Sequence, residues 1–171
     1  MALTVNVKLF PGAIAFGKQA LAAAAKGITP HEATMGVHEE DGTKAKQWYD
    51  GRDQVETLAE IMTLHEYGDA GVPERSWLRS WFDSNMTRLA GGMFDAMRRE
   101  ADGDKSAIQQ WVVRTHAEWK AWIDGGHLKP LSPFTEAVKA SYGLPRPEAP
   151  LIATQQFIEA LRAKLDGRRV A

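Results

Sequence analysis

His65-Glu66-Tyr67-Gly68-Asp69-Ala70-Gly71-Val72-Pro73-Glu74-Arg75-Ser76-Trp77-Leu78-Arg79-Ser80-Trp81-Phe82-Asp83-Ser84-Asn85 joins two helical patterns through a turn punctuated by glycine and proline. Upstream of it, Val55, Leu58, Ile61, Met62 and His65 define a short amphipathic helix that Gly68 stops. Downstream, Met86, Leu89, Ala90, Met93, Phe94 and Met97 recur at helical spacing from Asn85, and Asp102-Gly103-Asp104 breaks the stripe. Asp104 is placed to cap a second long helix with the stripe Ile108, Trp111, Val112, Thr115, Trp119, Trp122 and Ile123, which Gly125-Gly126 stops.

Toward the N-terminus, Thr4 to Leu9 alternates apolar or β-branched with polar residues, the period of a half-buried strand, closed by Pro11-Gly12. Ala13 to Lys26 is Ala-rich, carries Ile14, Phe16, Ala20, Leu21 and Ala24 near helical spacing, and ends at Gly27, which predicts a helix. Ala33 to His38 reads as a short strand, and residues 39–53 read as a polar loop or arm. Residues 128–150 hold Pro130, Pro133, Pro145, Pro147 and Pro150 around a helical stretch from Phe134 to Tyr142, so they form an extended strap. Leu151 to Leu165 is near helical spacing or returns to the sheet as an edge strand, and residues 168–171 are expected to fray. The expected fold is α+β in a single domain, 1–171, of which 1–30 is an N-terminal strand and helix. A small, mostly antiparallel sheet built mainly by the N-terminal half carries packed helices, two of them longer and amphipathic, plus the arm and strap.

A chain of 171 residues is near the size of one core. With 21 basic and 22 acidic residues it has no global basic field to neutralise a phosphate backbone, so bulk nucleic-acid binding is not expected. The absence of cysteine removes disulfides, thiolate catalysis and Cys-type zinc sites together. No apolar run is long enough to span a membrane, and Met1 to Val7 lacks the basic-then-apolar order of a signal peptide. The chain is expected in the cytoplasm where it is made, or in whatever assembles there.

Three His-Glu pairs invite a metal reading: His31-Glu32, His38-Glu39 and His65-Glu66. None has the second histidine one helical turn on that a His-Glu-x-x-His zinc site requires. No serine sits in a Gly-x-Ser-x-Gly elbow, and Ser76, Ser80 and Ser84 suit a loop or helix caps better. Phe16-Gly17-Lys18-Gln19 lacks both the earlier glycine and the Ser/Thr of a phosphate loop. No catalytic residue, metal ligand or cofactor is assigned on these grounds.

Aromatic and arginine residues carry more. Trp111, Trp119 and Trp122 share one helical face and suit a core, whereas Trp77 and Trp81 fit either a core or an interface. Arg75 and Arg79 flank Trp77 beside Glu74, either as a stiff binding edge or as partners in surface ion pairs. The interface set read from the chain is Glu66, Tyr67, Arg75, Trp77, Arg79 and Trp81 on the loop, with Trp48 and Tyr49 on the arm.

The loop also resembles the tail completion, or virion morphogenesis, proteins of long-tailed bacteriophages, including the Mu-like group. In that family a helix ending His-Glu-Phe/Tyr-Gly leads to Pro-x-Arg-Pro-Phe-Leu-Arg, and the matching residues are His65, Glu66, Tyr67, Gly68, Pro73, Arg75, Leu78 and Arg79. Leu131-Ser132-Pro133-Phe134-Thr135, Lys139 and Pro150-Leu151-Ile152-Ala153-Thr154-Gln155-Gln156 are similar to its downstream pattern, and Met35-Gly36-Val37 to its apolar-Gly-apolar strand. The chain departs from the pattern at Ser76 for Pro, Trp77 for Phe, Ala153 for Asp and Gln155 for Gly.

The resemblance, over roughly residues 33 to 165, implies a non-enzymatic virion protein that forms a ring at the neck, completes the tail and joins head to tail. Its partners would be copies of itself, the head connector or adaptor, and the tail tube or tail terminator, close to the DNA channel but with no sequence-specific nucleic-acid contact and no membrane. A tail terminator or a peripheral neck protein is the nearest alternative. From other classes come a small cytoplasmic metal-dependent hydrolase built on His31, His38 and His65, and a DNA-associated packaging factor.

Overall fold

In the computed structural model, which describes residues 3–9, 31–44, 57–69, 71–151 and 156–171, the fold is α+β, as the patterning predicts. Its described elements run β1 (Leu3–Leu9), β2 (His31–Val37), a single helical turn α1 (Glu39–Gly42), α2 (Leu58–Tyr67), α3 (Arg79–Ala101), α4 (Ala107–Asp124), α5 (Pro133–Ser141), α6 (Gln156–Ala160), β3 (Leu161–Leu165) and β4 (Arg168–Arg169). The helix predicted over 13–26, together with Trp48 and Tyr49, lies outside the described residues.

The sheet is antiparallel throughout, in the order β1-β2-β3-β4. Ala33, Met35 and Val37 of β2 are buried at every second position, and their neighbours across the ladder are Leu165, Ala163 and Leu161. Period-two alternation therefore puts one apolar row of the two central strands against the helices. This corrects two expectations: half of the described strands come from residues 161–169, and Leu161–Leu165 is an inner strand rather than a helix or an edge. The physical reason is local. Leu161, Ala163 and Leu165 alternate with Arg162 and Lys164, and Asp166-Gly167 follows with φ of 51° and 75°, the two left-handed residues of a two-residue hairpin turn. The terminal residues are not frayed, because Ala163 exchanges hydrogen bonds with Ala171 (2.8 Å) and Val170 (2.9 Å).

Residues 39–42 of the expected arm form α1, pinned to β3 through Asp41 with Arg162 (3.3 Å) and Glu40 with Lys164 (2.5 Å). α2 opens on a capping box, with Thr57 and Glu60 each satisfying the other's backbone N–H. α3 starts at Arg79 rather than Asn85, for a reason found in the loop below. α4 starts one residue after Ser106, because Asp104 spends its side chain on the Ser106 N–H (3.1 Å) and hydroxyl (2.7 Å) instead of capping the helix itself.

The helices meet over an aromatic cluster. Trp77 stacks on Trp119 with ring centres 5.6 Å apart and meets Phe157 in a T-shaped contact at 5.1 Å, while Trp81 and Phe82 also pack against Trp119. α3 and α4 approach closely where Gly92 lies under Trp111: a β-carbon on Gly92 would sit 2.9 Å from the indole nitrogen, whereas one on Gly91 would meet nothing. Gly91→Ala should therefore stabilise the fold by about 0.5–1 kcal/mol through helix propensity, and Gly92→Ala should destabilise it by about 1–3 kcal/mol through overpacking. Urea midpoints of the two variants check this, and equal shifts would refute the close contact.

Candidate functional site

The loop between α2 and α3 is organised by one carboxylate. Glu66 is 0 % exposed, and its Oε1 accepts from the Ser76 hydroxyl (2.9 Å), the Arg79 backbone N–H (3.0 Å) and the Arg79 Nε (3.0 Å), while Oε2 accepts from the Leu78 N–H (2.9 Å). Helix starts leave backbone N–H groups without partners, and a negative charge there also meets the positive end of the helix dipole. Leu78, at the cap position of α3, supplies no side-chain bond, so the carboxylate from the preceding helix does the capping. That is why α3 starts well before the first residue of the periodic stripe.

Glycine geometry brings the carboxylate to this point. Gly68 ends α2 with φ of 73°, and a β-carbon there would lie 2.9 Å from the Glu74 backbone nitrogen, so only glycine lets the chain fold back so closely. Asp69 and Val72 then exchange backbone hydrogen bonds at 2.9 Å, and the Arg75 N–H reaches the His65 carbonyl at 2.7 Å.

The interface residues expected from the sequence separate into two layers. Glu66, Arg75, Trp77 and Trp81 are buried, which corrects the view of Trp77, Trp81 and Arg75 as an exposed binding edge. The Trp77 indole donates to the Met62 carbonyl (3.1 Å) and the Trp119 indole to the Trp77 carbonyl (2.9 Å), so the tryptophans are core members with satisfied N–H groups. On the outside are Tyr67, 56 % exposed, Glu74, and Arg79, whose side chain is 47 % exposed. Arg79 lies over the Tyr67 ring at 4.7 Å, bonds the Glu66 carbonyl (3.1 Å) and pairs with Glu74 (2.6 Å). Its hydrogen bond to Glu66 holds the guanidinium above its ordinary pKa.

Two buried cations tie this loop to the strap. Arg75 donates to the carbonyls of Lys129 (3.0 Å) and Pro130 (3.3 Å), and Lys139 donates to the Ala149 carbonyl (2.5 Å). Burial lowers the pKa of both, and no carboxylate of the described residues lies within ion-pair distance of either. Between them, α5 is set by Ser132, whose hydroxyl accepts the Thr135 N–H (3.2 Å), with Pro133 in the first turn. A cleft of ≈ 320 Å³ opens beside the loop, lined by Glu74, Arg75, Ser76, Ser80, Trp122 and His127 among others, with Trp122 and His127 stacked at 5.3 Å as one wall.

The histidines do not converge. His31 and His38 flank opposite ends of β2, His65 lies on α2, and among the described residues no group of three His, Asp or Glu side chains could hold a metal ion. Nor is any helix of the described residues long and apolar enough to cross a membrane.

His116, which the sequence reading passed over, is 5 % exposed, and its Nε2 has no hydrogen-bond partner among the described residues. Its signal was its spacing, since it lies between Val112 and Trp119 on the buried stripe of α4. Burial first, then the Lys120 charge, lowers its pKa to about 4.

No protein-family model matches the chain, and searches of characterised proteins and of solved structures find no match.

Glu66→Gln should cost about 2–4 kcal/mol in denaturant unfolding, because either orientation of the amide turns an NH₂ toward an N–H donor that the carboxylate accepts. Tyr67→Ala, at the exposed surface, should stay within about 0.5 kcal/mol. For His116 the folded pKa lies below that of the free side chain. Its contribution is therefore fully present above pH 6.5 and is lost as pH falls from 6.5 toward 4, by about 3 kcal/mol in all. Unfolding midpoints across that window, with His116→Gln as a control that lacks this loss, check the sign.

Proposed function

We propose that this chain is a non-enzymatic structural protein of a tailed-phage virion, which forms a ring at the neck, completes the tail and joins it to the head. The observation that carries the reading is the way the motif residues of the loop act together. Glu66, Arg75 and Leu78 are the buried frame, Gly68 is the turn that closes it, and Tyr67, Glu74 and Arg79 are the surface that the frame holds still. A surface fixed before contact loses little conformational entropy on docking, which favours repeated subunit contacts in a closed ring.

The strap adds a second support. Lys139 and Pro150 of the downstream motif lie where the strap is tied down, Lys139 by its bond to Ala149, the residue before Pro150. Arg75 of the upstream motif ties the start of the same strap. Head connector and tail proteins are the partners this reading assigns, and the exposed triad Tyr67, Glu74 and Arg79 is the contact surface it assigns to them or to a neighbouring copy.

The experiment is a nonsense mutation in the gene, with particles imaged after growth on a non-suppressing host. Separate filled heads and unattached tails are expected, and normal infectious particles would overturn the reading. Complementation with Tyr67→Ala, which leaves the Glu66 donors in place, tests the contact: a folded variant that fails to restore joined particles is expected, and full restoration would remove the loop edge from the interface.

A further inference from the structure

We propose that His31, held between Glu100 and Asp166, is a proton-dependent latch that fastens the β3–β4 hairpin to the last turn of α3 and loosens the hairpin turn when the imidazole becomes neutral. This inference is independent of the virion reading. It starts from a cluster joining three elements: His31 opens β2, Glu100 is in the last turn of α3, and Asp166 is the first residue of the hairpin turn.

Both ring nitrogens face carboxylates. Nδ1 lies 2.7 Å from Asp166 Oδ2, and Nε2 lies 3.0 Å from Glu100 Oε1. An imidazole donates from both nitrogens only when it is charged, and the neutral ring turns one lone pair toward a carboxylate oxygen. The latch is therefore closed in the imidazolium form, and one contact must open when the proton leaves.

Burial decides which contact opens. Glu100 is buried and, among the described residues, its Oε2 has no hydrogen-bond partner and its Oε1 has only the imidazole, so it holds on to that donor. The Asp166 side chain is 47 % exposed and can exchange the imidazole for water. The remaining proton stays on Nε2, toward Glu100, and the hairpin turn loses one of its ties to β2, keeping the Asp166 N–H bond to the Glu32 carbonyl (2.8 Å) and the Glu32 N–H bond to Asp166 Oδ1 (2.9 Å).

The two carboxylates favour the closed form. Asp166 also accepts the Glu32 N–H at 2.9 Å and feels Arg168 of β4, while the β1 backbone register sets Leu9 against His31. Burial pulls the His31 pKa down, but the hydrogen bonds to Asp166 and Glu100 and the charges of both outweigh it, and the net shift is upward from 6.5. With the folded pKa above the unfolded one, the latch contributes fully below pH 6.5 and is lost as pH rises through the folded value.

The test uses the full chain. The His31 ring proton is followed by NMR from pH 5 to about 9, and amide protection factors are measured for Gly167 to Val170 and for the last turn of α3. His31 should titrate above its free value. Protection of the hairpin should fall through the same range, by about tenfold for each pH unit that separates the folded from the free imidazole, while the middle of α4 stays unchanged. A titration at or below the free value, or hairpin protection that does not follow it, overturns the proposal.

Asp166→Asn provides the second arm. It keeps an acceptor for the Glu32 N–H, and Asn-Gly suits the left-handed turn, so the hairpin is retained. Loss of the pH dependence in this variant is the expected result, and an unchanged dependence overturns the assignment to Asp166.

Discussion

A carboxylate with no access to water needs the protein to fill its lone pairs, and Glu66 meets that need with groups that exist only when the loop has one particular shape. Its donors are a serine hydroxyl, two successive backbone N–H groups at a helix start and an arginine. Removing any of them would leave a desolvated charge short of a partner, at a cost of several kcal/mol. The direction of α3 follows from this constraint, since its first N–H groups point at the carboxylate. Trp77, Trp81 and Phe82 sit next to those N–H groups, and they place Trp119 and with it α4. A single acidic side chain at the end of a short helix thus fixes the angle at which the two long helices enter the core.

Cations play the complementary role under the strap. Proline-rich backbone lacks N–H donors and does not enter a sheet ladder, so its carbonyls require donors from elsewhere. Arg75 and Lys139 provide them from beneath. Buried arginine and lysine satisfied by carbonyls, rather than by carboxylates, keep their charge at the expense of a lowered pKa. At the start of the strap Leu128, buried in the core, adds an apolar anchor to the bonds of Arg75. The arrangement explains why a segment with little regular structure can border a cleft of defined shape.

Much of this was legible in the chain. The α+β class, the short helix ended by Gly68 and the two long amphipathic helices follow from periodicity and glycine placement, which are local signals. What was not legible depends on long-range partners. A capping carboxylate from another helix cannot be seen from Leu78 and its neighbours, so the start of α3 was placed too late. The burial of Arg75 was hidden because its partners, Lys129 and Pro130, are far along the chain and contribute only backbone. Trp77 and Trp81 were open between core and interface because a loop position says nothing about what packs over it. The final strand was obscured by its length, since five residues satisfy helical and alternating patterns almost equally well, and the Asp166-Gly167 turn was the stronger clue.

The order of the sheet has a consequence for how the molecule acquires its shape. β2 pairs on one side with β1, close in sequence, and on the other with β3, near the far end, so that His31 and Asp166 meet across 135 residues. The α3–α4 pair needs only a short loop and can form early, whereas closing the centre of the sheet carries the entropy of the whole intervening chain. During synthesis, β2 therefore offers an open edge until residues 161–165 have left the ribosome. Its row of Ala33, Met35 and Val37 is then an apolar edge open to wrong pairing with other strands, and docking of the β3–β4 hairpin closes it.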